Sequence, residues 1–146
     1  ARDKLESLGF AVSVWSVTSY NELYRDAEAC ERHNRLHPED EPRTPYVADL
    51  FLDTEGCYVA VTDYMKSLPR SIAPWMPDNY LVLGTDGYGR SESRATLREY
   101  FEINADHVCH TALVGLLRSE KISKAQFRKA IKSLDIDPEK ENPALH

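Results

Sequence analysis

The run VLGTDGYGRSESR, residues 82–94, sets an apolar segment, Tyr80 to Leu83, directly before a turn punctuated by Gly84, Gly87 and Gly89. Ser91 or Ser93 then stands where a helix cap is expected. Strand, glycine turn and helix in that order restrict the chain to folds that alternate strands with helices. The same order gathers backbone N–H groups, two arginines and two hydroxyls around one helix start. That arrangement can hold an anion or pack against the mouth of an active site. As spacing alone, GxxGxG is neither the dinucleotide fingerprint GxGxxG nor the phosphate loop GxxxxGK[ST]. The three glycines equally fit a tight connection that needs positive φ.

The rest of the chain supports an α/β reading. Residues 1–9 read as the end of a helix terminated by Gly9. With no methionine at its start, the chain is expected to be a fragment of a larger protein. Ala11 to Val17 (AVSVWSV) alternates apolar and small polar residues and predicts a strand. Ser19 and Glu22 predict a capping box opening a helix whose apolar stripe is Leu23, Ala27 and Cys30. A proline-rich turn from His37 to Pro45 ends it. Tyr46 to Leu52 fits helix or strand, and Cys57 to Thr62 predicts a strand. Leu68, Ile72, Trp75 and Met76 recur at helical spacing, with Ser67 as cap and Pro69 in the first turn. Pro74 would cost a regular helix about 3 kcal/mol, so a short or kinked helix is expected.

The strongest helical signal is Ala105 to Ser119, whose Val108, Cys109, Ala112, Leu113 and Leu116 define one buried face. His107 and His110 are expected at its boundary or surface. Ser123 and Gln126 open a last helix with a Phe127, Ala130, Ile131 and Leu134 stripe, and Pro138 to His146 reads as a frayed tail.

Residues 1–146 are expected to form one domain. At 42% hydrophobic and 29% charged residues, they suffice for a sizeable core. A net charge of −6 argues against a nucleic-acid partner, and no apolar run approaches the roughly 20 residues that span a bilayer. Three scattered cysteines, Cys30, Cys57 and Cys109, read as free thiols and point to the cytoplasm. Cys30 with His33, and His107, Cys109 and His110, invite a zinc reading. Yet Cys30 and Cys109 lie on apolar stripes, where cysteine behaves as a small hydrophobe, so no metal site is expected. A Cys/His nucleophile would need an orienting group and an oxyanion site, and the sequence supplies neither. The charges of Glu92 to Glu102 read as a solvated helix face.

Val14 to Pro38 (VWSVTSYNELYRDAEACERHNRLHP), Thr62 to Lys66 (TDYMK), Val82 to Arg94, the following FEINADH and the terminal IDPEKENP stand in order along the whole chain. Together they resemble the carboxyl-terminal domain of the homodimeric, bacterial-type pyruvate dehydrogenase component, the acetyl-transferring, thiamine-diphosphate-dependent subunit of its complex. The resemblance implies a three-layer α/β fold of the transketolase carboxyl-terminal type: a mostly parallel, five-stranded sheet flanked by helices, here without its first strand and half its first helix. His33 and Arg35 depart from an expected Trp and apolar residue, Tyr88 replaces Phe, and Pro69 occurs in only some members.

The same resemblance implies that thiamine diphosphate and Mg²⁺ are bound by other domains of the parent. The GDG…NN motif that holds them is missing from this chain, so no catalytic, cofactor-binding or metal residue is assigned to it. The implied parent decarboxylates pyruvate and reductively acetylates the lipoyl group of dihydrolipoyl acetyltransferase, and acts as a homodimer. This domain would support dimerisation and wall the active site. Its candidate active-site-facing or anion-facing residues are Asp86, Arg90, Ser91 and Arg94. Asp86 is expected to hold its own turn through backbone hydrogen bonds. The alternative is a stand-alone α/β module that binds an anion or nucleotide at GTDGYGRS.

Overall fold

The computed structural model describes residues 1–145. Helix α1 (Arg2–Ser7) ends in a Schellman motif. The Phe10 N–H donates to Leu5 O, the Gly9 N–H donates to Glu6 O, and Gly9 takes φ 89°. Helix α2 (Tyr20–Leu36) starts at Ser19, whose Oγ accepts the Glu22 N–H at 3.2 Å. Only half of the expected capping box forms, because the Glu22 carboxylate pairs with Arg25 at 2.5 Å. The Tyr46–Leu52 ambiguity resolves as helix α3 (Tyr46–Phe51).

Strand β1 (Tyr58–Val61) follows, then α4 (Ser67–Arg70), a 3-10 turn at Ala73–Trp75, and β2 (Tyr80–Leu83). The expected proline-broken helix is thus two short pieces. Ser67 lies inside α4 and Lys66 is its cap, so the expected Ser67 cap is corrected. The chain closes with α5 (Arg94–Tyr100), α6 (Ala105–Arg118) and α7 (Lys124–Ala130). The Ser123–Gln126 capping box forms in full.

β1 and β2 pair in parallel, Tyr58 opposite Tyr80 and Val61 opposite Leu83. Side chains alternate across a strand, so the two faces of this ribbon carry different sets. On one, Tyr58 meets Phe51 of α3 edge-on at 5.2 Å and the Tyr80 hydroxyl donates to Pro69 O at 2.9 Å. On the other, Cys57 and Asn79 approach Gly115 of α6. Helices therefore flank a parallel sheet on both sides, the α/β arrangement expected. Among the described residues the sheet has two strands.

Ala11 to Val17 is irregular rather than a strand, and Val14, Trp15 and Val17 are exposed. A strand needs a neighbour to take its N–H and C=O groups. β1 and β2 pair along one edge apiece, and no strand among the described residues pairs with this segment.

The core joins Leu5, Cys109, Leu113, Ile122 and Ala130, with Ala112, Leu116, Leu117 and Phe127 packed around them. Cys109 and Leu113 are fully buried, as the α6 periodicity predicts. Two corrections apply. Val108 stands outside this cluster, and His107, expected at the boundary, is buried at 8% exposure with its N–H on Asn104 Oδ1. His107 and Gly115 lie on the side of α6 opposite Cys109 and Leu113. That side is covered as well, because α6 is wedged between the sheet and the α1–α7 pair.

The tail is also corrected. Pro143 is buried, Lys140 Nζ donates to the Glu99 and Tyr100 carbonyls at the end of α5, and residues 143–145 form a 3-10 turn. A lysine capping helix carbonyls is favourable, and it ties residues 138–145 down. His146 lies outside the described residues. No helix among them is long and apolar enough to cross a membrane.

Candidate functional site

Parallel strands end at the same edge, so the segments leaving β1 and β2 emerge side by side. The Thr62 N–H donates to Leu83 O at 3.1 Å, and the Thr85 N–H donates to Tyr64 O at 2.9 Å. Thr85 Oγ1 donates to Asp63 O at 2.8 Å. Gly84 is buried here because a Cβ would lie 2.7 Å from Tyr64 O. TDYMK and GTDGYG, twenty residues apart in sequence, thereby become one clasp.

Asp86 fastens that clasp. Its Oδ1 accepts the Lys66 N–H at 2.8 Å, and its Oδ2 stands 3.7 Å from Lys66 Nζ. The carboxylate thus caps α4 from another segment, and the expectation that it would hold its own turn is corrected. The turn is held instead by Gly87 (φ 99°), packed so closely that a Cβ would lie 2.7 Å from Pro143 O.

Beyond the clasp opens a cavity of about 400 Å³. Its lining includes the charged Arg90, Arg94, Arg98, Asp63 and Glu92 and the apolar Leu97, Phe101 and Ile103. A smaller adjoining hollow shares Asp63, Arg98 and Ile103. Arg90 also stacks over the Tyr100 ring, 4.6 Å from its centroid. Ser93, not Ser91, caps α5, its Oγ accepting the Thr96 N–H at 3.2 Å. Of the four candidate residues, then, Arg90 and Arg94 line the cavity, Asp86 lies outside the lining and binds Lys66, and Ser91 is exposed outside the lining.

Arg98 was not among the candidates. It follows Arg94 by one helical turn, as Phe101 follows Leu97, and that i, i+4 spacing was the available signal. Asp63 had no local signal, since only strand pairing brings it to Thr85.

The cysteines and histidines do other work. Cys109 Sγ donates to Ala1 O at 3.4 Å, and His33 stacks on His37 with centroids 4.4 Å apart. Burial raises the thiol pKa of Cys57 to about 11 and lowers that of the His110 imidazole below its usual value, with His107 adding to the latter. Among the described residues no three His, Cys, Asp or Glu side chains are grouped to hold a cation.

Comparison with known proteins agrees with this architecture. The chain is 46% identical over 138 residues to the pyruvate dehydrogenase E1 component of Escherichia coli K12 and 46% over 136 residues to that of Pseudomonas aeruginosa. It is 40% identical over 127 residues to the one from Mycolicibacterium smegmatis. These alignments cover 94%, 92% and 87% of this chain but only 15%, 15% and 14% of the relatives, so the chain spans about a seventh of their length. The family described as the transketolase-like TK C-terminal domain matches residues 1–104. With its helix-flanked parallel strands and this match over most of its length, the chain belongs to the transketolase-like C-terminal domain family.

Proposed function

We propose that this chain is the carboxyl-terminal domain of a pyruvate dehydrogenase E1 component. Its parent would decarboxylate pyruvate and pass the acetyl unit to the lipoyl group of dihydrolipoyl acetyltransferase. The observation that carries the reading is 46% identity sustained over 94% of the chain. The parent is proposed to be a cytoplasmic homodimer dependent on thiamine diphosphate and Mg²⁺.

Mg²⁺ on a diphosphate needs several oxygen ligands on one cation, and among the described residues no three His, Cys, Asp or Glu side chains are grouped to hold one. The chemistry is proposed to belong to other parts of the parent, with this domain supplying shape and charge. Tyr64, Met65 and Tyr88 support that role. They are 71%, 64% and 84% exposed on the two clasped segments, where apolar side chains suit burial against a further domain or subunit. Arg90 and Arg94 stand at the carboxyl edge of parallel strands, where α/β folds place functional loops. They are proposed to brace the anionic substrate path.

The parent protein tests this directly. Purified with thiamine diphosphate and Mg²⁺, it should release CO₂ from pyruvate and acetylate lipoyl domains, and a parent that does neither refutes the assignment. Within an active parent, Arg94→Ala should lower turnover on pyruvate at unchanged dimer affinity. Normal turnover with weakened dimerisation would leave the arginine structural.

A further inference from the structure

The last residues bend twice in the same way. Asp137 Oδ1 accepts the Glu139 N–H at 2.9 Å across Pro138, and Asn142 Oδ1 accepts the Ala144 N–H at 3.0 Å across Pro143. A side-chain oxygen that bonds the backbone two residues on turns the chain locally, and the proline between has no N–H to compete. The segment shaped by these bends touches two separate elements. Lys140 Nζ donates to the Glu99 and Tyr100 carbonyls that end α5. Pro143 O and Ala144 Cα lie against Gly87, where a Cβ would come within 2.7 and 3.1 Å of them. Gly87 also holds a φ of 99°, so a side chain there is strained as well as crowded. Between the two contacts, residues 87–96 are exposed. Pinning both ends of an exposed stretch removes conformers that it would otherwise sample. Arg90 in this stretch rests on the Tyr100 ring, 4.6 Å from its centroid, and the Lys140 ammonium stands 6.0 Å from the same centroid.

We propose that residues 137–144 are a strap fixing the turn after β2 to the end of α5, and that Lys140 is a positioning residue for the Arg90–Arg94 segment. Lys140 holds the end of α5 and the Pro143 carbonyl closes on Gly87, so the segment between them is carried at a set distance from both. Lys140 lies outside the cavity lining and acts through the segment it holds. The strap stands on these contacts alone. Its consequence for turnover rests on the reading that Arg90 and Arg94 brace the substrate path, so the two are tested separately.

Trypsin cleavage after Arg90 in the parent protein reads the strap, because the protease must draw this segment off Tyr100 into an extended conformation. Lys140→Met keeps the aliphatic stem and removes the donated bonds. It should speed that cleavage about fivefold, the ratio that one lost hydrogen bond gives, with cleavage after Arg43 unchanged. Lys140→Arg, which can still donate, should restore the wild-type rate. Asn142→Ala, which frees the Ala144 N–H, should act in the same direction as Lys140→Met, and Lys129→Met, on α7, should change nothing. Equal cleavage after Arg90 in Lys140→Met, Asn142→Ala and wild type overturns the strap. Steady-state kinetics on pyruvate read the positioning role. In a parent that loses turnover on Arg94→Ala, Lys140→Met should lower turnover too, and the double variant should fall no further than Arg94→Ala alone. Unchanged turnover in Lys140→Met, or losses that multiply in the double variant, overturn the positioning role. A parent in which Arg94→Ala is silent refutes the bracing reading and the positioning role with it, while the cleavage rates still decide the strap.

Discussion

Gly115 of α6 lies against Cys57, at the entrance to β1, with no room for a side chain between them. A Cβ on Gly115 would fall inside the Cys57 sulfur and 3.0 Å from Asn79 Oδ1. Asn79 holds a left-handed φ of 73° and donates from Nδ2 to Gly115 O at 3.0 Å and to Ser119 Oγ at 3.3 Å. This contact seats α6 on the sheet. Gly115→Ala gains up to about 1 kcal/mol of helix propensity, but overpacking typically costs about 1–3 kcal/mol. Net destabilisation is expected in urea denaturation, partly relieved by adding Cys57→Ala, while Gly89→Ala, with open space around it, should be near neutral. A Gly115→Ala variant as stable as wild type would disprove the seating.

Removing the Asp86 carboxylate leaves the Lys66 N–H without its acceptor. Asp86→Ala should destabilise the domain by about 1–2 kcal/mol, in the range of a lost helix cap. Asp86→Asn, which keeps an acceptor oxygen, should cost much less. The ion pair contributes little, being 3.7 Å long and partly exposed. Equal melting temperatures for the two variants would show that charge, not the cap, is what Asp86 supplies.

Leu113 is fully buried, so Leu113→Ala should cost about 2–5 kcal/mol. His110, which meets Phe127 with centroids 6.0 Å apart at a partly exposed position, should tolerate Ala with a much smaller loss. Chemical denaturation of both variants decides it, and comparable losses would refute this orientation of α6.

Burial lowers the His110 pKa from its ordinary 6.5, so the folded state binds that proton less readily than the unfolded one. The group's stabilising contribution is full above pH 6.5 and is lost as pH falls through the folded-state pKa. His110→Gln should therefore flatten the fall in stability on acidification below pH 6.5, measured as melting temperature against pH. A variant with an unchanged slope would show that His110 does not feel the burial.

Thiol chemistry should rank the cysteines. Cys109 is fully buried and Cys57 has its pKa raised to about 11, so both carry little accessible thiolate at about pH 8. Cys30, partly exposed on α2, should be alkylated first by iodoacetamide, as mass spectrometry of the native protein would report. Prior modification of Cys57 would contradict its packing against Gly115.

Features governed by short-range chemistry were legible along the chain. Gly9 ends α1 because the Schellman turn needs a left-handed residue, and Ser123 with Gln126 opens α7 by reciprocal hydrogen bonds. The spacing of Cys109, Leu113 and Leu116 marks the core face of α6. Long-range packing supplied the rest. His107 is buried because a second layer covers the other side of α6, which one apolar stripe cannot announce. Ala11 to Val17 has a strand's alternation, but alternation specifies a face and not the neighbour that must accept its hydrogen bonds. Asp86 reaches Lys66, and Asp63 reaches Thr85, because two parallel strands end at one edge. That proximity comes from pairing between segments about twenty residues apart, and no local pattern records it.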